Sequence, residues 1–144
     1  MKTIGLAADH AGFALKEVLK EVLQDDGYSI SDFGTHSDAS TDYADYAHPL
    51  AQAIEDETIA RGIAVCGSGE GMCITVNKYP KIRASLVWSE DVATITRQHN
   101  DANILCLPAR FVSEDEAIRM LRTFLKTEFD GGRHARRIGK IPIV

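Results

Sequence analysis

Short apolar runs alternate along the chain with longer stretches in which apolar residues recur every three or four positions. The runs predict five buried strands, at residues 3–8, 29–33, 63–65, 84–87 and 104–107. The longer stretches predict helices, and the first carries apolar side chains from Phe13 to Leu23 before Asp26-Gly27 ends it. Strand and helix therefore alternate throughout the chain.

Strands that alternate with helices in this way are typical of a parallel sheet with helices on both faces. We therefore predict an α/β fold, a three-layer α/β/α Rossmann-like sandwich around a five-stranded parallel sheet. The 144 residues are enough for one domain, and neither a linker nor a repeat divides them. The predicted domain spans residues 1–144 and ends in a basic segment at about 131–144.

Three predicted helix starts carry a side chain that can accept hydrogen bonds from the first helical turn. Asp42, Ser89 and Ser113 stand at these positions. Glu116 completes a capping box with Ser113. The helix that starts after Ser89 is predicted to end near His99.

A glycine-rich loop follows the third strand, with the sequence Cys66-Gly67-Ser68-Gly69-Glu70-Gly71. Its glycines allow the backbone to turn N–H groups toward a ligand, and the next helix adds unsatisfied donors and the positive end of its dipole. Such a loop suits an anion or a developing oxyanion. The glycine spacing is neither G-x-G-x-x-G nor that of a P-loop, which disfavours dinucleotide binding.

Cys66 begins this loop at the carboxyl end of a strand, where amide dipoles favour the thiolate. We expect Cys66 to act as a base or a nucleophile. The alternative is a small buried cysteine that only packs, as free cysteines often do. The surrounding glycines favour the chemical role.

Polar residues also follow other predicted strands, and ligands of parallel sheets bind beyond the carboxyl ends of the strands. Asp9 and His10 follow the first strand and Arg110 follows the fifth, so we expect all three to face the glycine loop. Arg110 suits a phosphate or carboxylate, while Asp9 has the alternative role of capping the first helix. His99 and Asn100 close the fourth helix, where the alternative for His99 is an interaction with the helix dipole.

The formal net charge of −5 argues against a general affinity for nucleic acid. The basic residues nonetheless cluster near the end, at Arg133, His134, Arg136, Arg137 and Lys140. In an acidic protein such a cluster indicates a local anion site or an interface. The alternative is a solvated basic tail.

The three cysteines, Cys66, Cys73 and Cys106, have neither the spacing of a metal site nor that of a disulfide framework, which fits a reducing compartment. No stretch has the character of a signal peptide or a membrane span, so we expect a cytoplasmic protein without membrane contact. A thiol, two histidines, a carboxylate, loop amides and arginines together suit proton transfer on a small phosphorylated molecule. An isomerase that works through an enediol needs these groups.

Several motifs occur in the order Asp9-His10-Ala11-Gly12-Phe13, Thr41-Asp42-Tyr43, Cys66-Gly67-Ser68-Gly69-x-Gly71-Met72, Arg97-Gln98-His99-Asn100-Asp101-Ala102-Asn103, and Gly131-Gly132-Arg133-His134 with Arg137. With these motifs the chain resembles ribose-5-phosphate isomerase type B. The motifs extend over about residues 1–138, so the resemblance covers the whole domain.

The resemblance implies an interconversion of ribose 5-phosphate and ribulose 5-phosphate without metal or cofactor, a step of the non-oxidative pentose phosphate pathway. It implies that Cys66 moves the proton between C2 and C1 of the sugar. It also implies that His99 assists opening of the sugar ring, and that Ser68 with Asp9 assists proton movement between the two oxygens.

Binding roles follow from the same resemblance. The amides of residues 67–71, which include Gly67, Gly69 and Gly71, would hold the enediolate together with Asn100. The phosphate would be bound by His10, Arg110, Arg133 and Arg137, with His134 close by. The family forms homodimers or dimers of dimers, whose sites are built across the subunit interface.

Two alternatives remain open at this point. One is an isomerase of a six-carbon sugar phosphate, such as allose 6-phosphate or galactose 6-phosphate, although Cys66 and His99 in one chain favour a self-sufficient enzyme over the galactose type. The other is a sugar-phosphate binding module without catalysis. Glu70 stands where related loops usually carry an uncharged residue, and its carboxylate would repel a substrate phosphate if it faced the site.

Overall fold

The sheet of the computed structural model, which describes residues 2–143, contains five parallel strands. Met1 and Val144 of the predicted domain lie outside the described residues. The strands are β1 (Thr3–Ala8), β2 (Ser29–Asp32), β3 (Arg61–Cys66), β4 (Ala84–Leu86) and β5 (Ile104–Pro108). Their order in the sheet is β2-β1-β3-β5-β4, and every neighbouring pair is parallel. The predicted α/β fold is confirmed.

Helices cover both faces of the sheet. They are α1 (Phe13–Asp25), α2 (Tyr43–Glu55), α3 (Glu70–Val76), α4 (Glu90–Asn100), α5 (Glu114–Lys126) and α6 (Arg133–Ile138). Buried side chains of α1, α4 and α5 form the core on one face, and those of α2 and α3 form the core on the other. The short α6, which the sequence pattern did not predict, packs against α4. No helix within residues 2–143 is both long and apolar enough to cross a membrane.

Alternation along β3 decides which core each of its side chains joins. Ile63 and Val65 point into the α1, α4 and α5 core, whereas Ala64 and Cys66 point into the α2 and α3 core. Cys66 is the last residue of the strand and is 4% exposed. The thiol therefore lies at the edge of a packed core, directly before the glycine loop.

Two of the three predicted helix caps are present. The Ser89 hydroxyl accepts a hydrogen bond from the Val92 amide, and Ser113 and Glu116 form the reciprocal capping box. Asp42 stands directly before α2, but in the described chain its side chain makes no capping hydrogen bond. The prediction of a side-chain cap at Asp42 is therefore wrong, although the helix begins where it was expected.

Gly69 allows the loop after β3 to lie directly against the two strands beside it. Its φ of +75° falls in the left-handed region, which glycine adopts at little cost. A Cβ atom built on Gly69 would lie 2.5 Å from Leu86 Cδ1 and 3.2 Å from the Leu107 carbonyl carbon. Both the backbone conformation and the lack of space therefore require glycine here.

A buried ion pair connects α1 to the end of β2. The Lys16 side chain is 0% exposed, and its Nζ donates to Asp32 Oδ2 at 2.7 Å and to Glu17 Oε2 at 2.8 Å. Lys20 also donates to Asp32, at 3.0 Å. Burial by itself raises the pKa of Asp32, but hydrogen bonds from Lys16, the Gly34 amide and Lys20 together hold that pKa below its usual value.

Gly69→Ala is expected to destabilise the protein by about 2–4 kcal/mol, because a left-handed backbone conformation and an overlap with Leu86 are both penalised. Gly131→Ala is the matched control, since Gly131 has a φ of +71° and nothing within 4 Å of a built Cβ. It carries only the conformational cost, about 1 kcal/mol. Urea denaturation measures both free energies of unfolding, and equal losses would contradict the steric role of Gly69.

Lys16→Met is expected to lower the free energy of unfolding at neutral pH by roughly 3 kcal/mol, because Asp32 then keeps a buried charge with one partner fewer. Lys20→Met, which removes a side chain that is 32% exposed, should lose much less. Because the folded pKa of Asp32 is lowered, its stabilising contribution is complete above the unfolded pKa of about 4 and is lost as the pH falls through the folded value. Denaturation at several pH values should therefore show the Lys16→Met defect shrinking in acid.

Candidate active site

A cavity of about 370 Å³ opens at the carboxyl ends of β1, β3 and β5, the edge at which the sequence predicts a site. It is called the Cys66 pocket here. Its lining includes Asp9, His10, Cys66, Gly67, Ser68, Gly71 and Arg110, all of them predicted site residues. The parallel sheet thus brings together side chains that are up to about a hundred positions apart in the sequence.

The thiol and the glycine loop form the floor of this pocket. Cys66 is buried, while Ser68 is exposed and its Oγ accepts a hydrogen bond from the Glu70 amide at 3.2 Å. The Glu70 side chain is exposed, and it is not among the described residues that line the pocket. The carboxylate of Glu70 therefore does not border the Cys66 pocket.

His10 is held in one orientation by two hydrogen bonds to Thr41. The His10 amide donates to Thr41 Oγ1 at 3.2 Å, and His10 Nδ1 accepts from the Thr41 amide at 3.1 Å. A ring nitrogen that accepts from a backbone amide carries no proton, so the neutral ring carries its proton on Nε2. His10 is therefore prepared to donate a hydrogen bond from Nε2 to an anionic ligand.

Asp9 borders the Cys66 pocket, as expected, and it also stabilises the turn that leads into α1, although α1 has no side-chain cap. Its Oδ1 accepts a hydrogen bond from the Gly12 amide at 3.0 Å, directly before α1, and the residue is 7% exposed. Asp9 also lines the Cys66 pocket. One carboxylate oxygen thus fixes the turn into α1 at the same time as the residue borders the thiol.

Arg110 supplies positive charge beside the glycine loop. A Cβ built on Gly67 would lie 3.1 Å from Arg110 Nη1, so the guanidinium packs directly on this glycine. The backbones are also joined, because the Arg110 amide donates to the Gly67 carbonyl at 3.0 Å. Loop amides and a guanidinium on one side of a cavity are suited to bind an anion.

Tyr43 is a pocket residue that was not among the predicted site residues. Its ring packs on Gly71, where a built Cβ would lie 2.6 Å from Tyr43 Cε1. Tyr43 is the first residue of α2, a helix on the same face as α3. Its proximity to Gly71 depends on the packing of these helices, and the only sequence signal was its place in the Thr41-Asp42-Tyr43 motif.

Five other predicted site residues line a second cavity, also of about 370 Å³, which is called the His99 pocket here, whereas Gly69 is in the described lining of neither pocket. It lies between the end of α4 and α6, and its predicted members are His99, Asn100, Arg133, His134 and Arg137. Among the described residues, the two pockets have no lining residue in common. Within one chain, the predicted site residues therefore form two separate groups, one around Cys66 and the other around His99.

Two imidazoles stack in the His99 pocket. The ring centroids of His99 and His134 are 4.2 Å apart, and the ring planes differ by 9°. Burial lowers the pKa of His134, and His99, Arg133 and Arg137 lower it further, whereas Asp130 raises it. The pocket is thus dominated by positive and protonatable groups.

His99, Asp130 and His134 are also residue types that bind metals, and one candidate atom from each lies within 4.8 Å of the others. The lone pairs of an imidazole lie in its ring plane, so two parallel rings 4.2 Å apart do not direct them at one point. Arg133 and Arg137 add positive charge to the same cavity. The arrangement suits anion binding and proton transfer better than a cation.

Comparison with known proteins agrees with this geometry. The family model described as Ribose/Galactose Isomerase matches residues 4–141. A probable ribose-5-phosphate isomerase B of Mycoplasma genitalium is 42% identical over 140 residues, covering 96% of this chain and 92% of the relative.

Solved structures show the same likeness. The structure of a ribose 5-phosphate isomerase from Thermotoga maritima matches with a TM-score of 0.97 and 47% identity, over 99% of each chain. That of ribose-5-phosphate isomerase B from Mycoplasma genitalium, with bound ribulose-5-phosphate, matches with a TM-score of 0.93 and 42% identity, over 96% of this chain and 93% of the other. The fold, the glycine loop and these matches over nearly the whole length lead to one conclusion: the chain belongs to the ribose/galactose isomerase family.

Proposed function

We propose that this protein interconverts ribose 5-phosphate and ribulose 5-phosphate through an enediolate. The observation that carries the proposal is the Cys66 pocket, in which a thiol, the loop amides and Arg110 border one cavity. A relative whose structure contains ribulose-5-phosphate supports the choice of substrate. The predicted place in the non-oxidative pentose phosphate pathway follows from this reaction.

Cys66 is the proposed base. Its thiolate takes the proton from C2 of the open-chain aldose, the C1–C2 double bond forms, and the carbonyl oxygen on C1 becomes an oxyanion. The amides of the loop hold this oxyanion. The thiol then returns the proton to C1 while the O2 proton moves to O1, which leaves the ketose carbonyl at C2.

Two residues of the pocket are placed to help the proton move between the sugar oxygens. The Ser68 hydroxyl accepts from the Glu70 amide, so its own proton is free to be donated to a sugar oxygen. Asp9 lines the same cavity and has an acceptor carboxylate. We assign the transfer between O2 and O1 to Ser68, with Asp9 as its neighbour.

The phosphate is expected to bind between groups from both pockets. His10, through Nε2–H, and Arg110 provide donors from the Cys66 pocket. Arg133 and Arg137 provide guanidinium groups from α6, with His134 beside them. Arginine is suited to this task because its planar fork can bind two phosphate oxygens at once.

His99 and Cys66 line separate pockets of one chain, which supports a site that is completed by a second copy of the chain. We infer a homodimer, alone or as a dimer of dimers, in which the His99 pocket of one subunit faces the Cys66 pocket of the other. His99 would then open the furanose ring, and Asn100 would join the loop amides at the enediolate. In this arrangement the basic segment would contribute to the site of the other subunit. The alternative was a solvated tail.

All three cysteines are free, which supports a reducing compartment, and we therefore place the protein in the cytoplasm. Neither a cofactor nor a metal has a step in the proposed mechanism.

Cys66→Ala is expected to lower kcat for ribose 5-phosphate by at least about a hundredfold, because it removes the general base. The Kd for ribose 5-phosphate, measured by calorimetry, should change little, since the thiol contributes little to binding. Cys73→Ala is the control, because Cys73 is a half-buried thiol of α3 outside the described lining of the Cys66 pocket. Near-normal turnover by Cys66→Ala would rule out the base assignment.

The same assay with ribose 5-phosphate, allose 6-phosphate and galactose 6-phosphate tests the substrate. The highest kcat/KM is expected for ribose 5-phosphate. A preference for a six-carbon substrate would keep the thiol mechanism and change the specificity. Absence of turnover on all three would favour a binding module.

Mixing two inactive variants tests whether sites are shared. Cys66→Ala and His99→Ala each damage both sites of their own homodimer. After unfolding and refolding as an equal mixture, half of the dimers are mixed, and each mixed dimer has one intact site if the site spans the interface. Activity should then return to roughly a quarter of the wild-type value. If each site lies within one chain, mixing restores nothing.

A further inference from the structure

The two stacked histidines of the His99 pocket lie near an acidic residue, Asp130, to which the proposed function gives no role. An oxygen of Asp130 lies within 4.8 Å of a ring nitrogen of His99 and of His134. Asp130 itself is exposed, whereas His134 is 7% exposed and His99 is half-buried. A carboxylate at the open end of a stacked histidine pair is positioned to act on both rings.

Main-chain contacts fix the position of Asp130 relative to His99. The Asp130 amide donates to the Gln98 carbonyl at 3.0 Å, one residue before His99 in α4. Three residues earlier, the Thr127 carbonyl accepts from Arg97 Nε at 3.2 Å. The segment from 127 to 130 is therefore held along the end of α4 by two consecutive residues of that helix.

The next residues bring His134 back over His99. Gly131 and Gly132 have φ values of +71° and +57°, which reverse the chain before α6. The His134 amide then donates to the Gly131 carbonyl at 3.1 Å. Asp130 therefore precedes a tight turn and His134 follows it, and both residues lie against the end of α4.

The groups around His99 and His134 are mostly cationic, so the negative charge of Asp130 affects how easily either ring carries a proton. Arg133 and Arg137 of α6 line the pocket, and at a centroid separation of 4.2 Å a positive charge on one imidazole disfavours a second on the other. Directly after α4, the Asp101 carboxylate is already paired with Arg97 at 2.7 Å. Asp130 is the carboxylate that opposes the surrounding charges, and it raises the pKa of His134 while burial and these cations lower it.

We propose that Asp130 is a positioning residue of the ring-opening step: its carboxylate, which lies near both stacked rings, stabilises the positive charge that His99 carries while it moves a proton. This inference rests on the proposed function, in which His99 takes the proton of the O1 hydroxyl and delivers one to the ring oxygen. During that transfer His99 is briefly an imidazolium beside two guanidinium groups. A carboxylate oxygen within 4.8 Å of a His99 nitrogen offsets part of this unfavourable charge through space.

Imidazole titrations followed by NMR in substrate-free protein test the electrostatic link directly. Asp130→Asn should move the titration midpoint of His134 to lower pH, because the carboxylate that favours the protonated ring is gone. Asp130→Glu should restore the midpoint toward the wild-type value. Glu128→Gln is the matched control, since it removes the same charge from an exposed residue of the same segment and should change nothing. An unchanged His134 midpoint in Asp130→Asn would overturn the proposal.

Kinetics test the consequence for ring opening. Asp130→Asn should lower kcat for ribose 5-phosphate by about tenfold with a smaller change in KM, because a group that stabilises charge only during proton transfer contributes little to substrate binding. The acid limb of kcat/KM should move to lower pH together with the NMR midpoint, and Asp130→Glu should recover most of the activity. A loss of kcat that is equal at every pH and is not rescued by glutamate would indicate a merely structural role and overturn the proposal.

The two proposals fail in different ways. If the wild-type protein does not isomerise ribose 5-phosphate, the proposed function and the ring-opening role of Asp130 both fall. If the wild-type protein is active and Asp130→Asn has full activity at all pH values, only the role of Asp130 falls. The urea midpoint of each variant confirms that the compared proteins are equally folded.

Discussion

The close approach of the glycine loop to the central strands is the constraint on which the rest of the site depends. Gly69 lies in the left-handed region with Leu86 and Leu107 against it, so the chain turns from β3 into α3 without leaving the surface of the sheet. This tight turn keeps the loop amides next to the buried Cys66. Arg110 then packs on Gly67 from the end of β5. A side chain at Gly69 would overlap Leu86, so the loop could not keep this position against the sheet.

Positive charge is concentrated where a phosphorylated sugar is proposed to bind, although the protein as a whole is acidic. The net charge is −5, yet Arg110 lines one pocket and Arg133 and Arg137 line the other. The exposed Glu70 does not interrupt this arrangement, since it lies outside the described lining of the Cys66 pocket. Local placement of a few arginines, rather than overall charge, therefore governs the attraction of a phosphate.

The predicted site residues lie in two pockets, and Arg133 and Arg137, which are far from Cys66 in the sequence, lie in the pocket that does not contain Cys66. A parallel sheet gathers strand ends at one edge, and this accounts for Asp9, Cys66 and Arg110. The end of α4 and the turn before α6 form a separate cavity, which holds His99 and His134. In the proposed homodimer, ring opening comes from one subunit and the proton transfer at carbon from the other, while both subunits contribute phosphate ligands.

The sequence by itself determined the order and type of the main elements, because hydrophobic periodicity, capping residues and glycines are local signals. It also located the glycine loop and its thiol. The short α6 was missed, since six residues rich in arginine carry no apolar periodicity, and the expected cap at Asp42 failed because a suitable residue type does not ensure a hydrogen bond. The contact of Tyr43 with Gly71 and the stack of His99 on His134 could not be predicted from the sequence, since both depend on how separate helices pack. Only the tertiary structure decided that the predicted site residues lie in two pockets, because the distance between two side chains is set by the path of the whole chain.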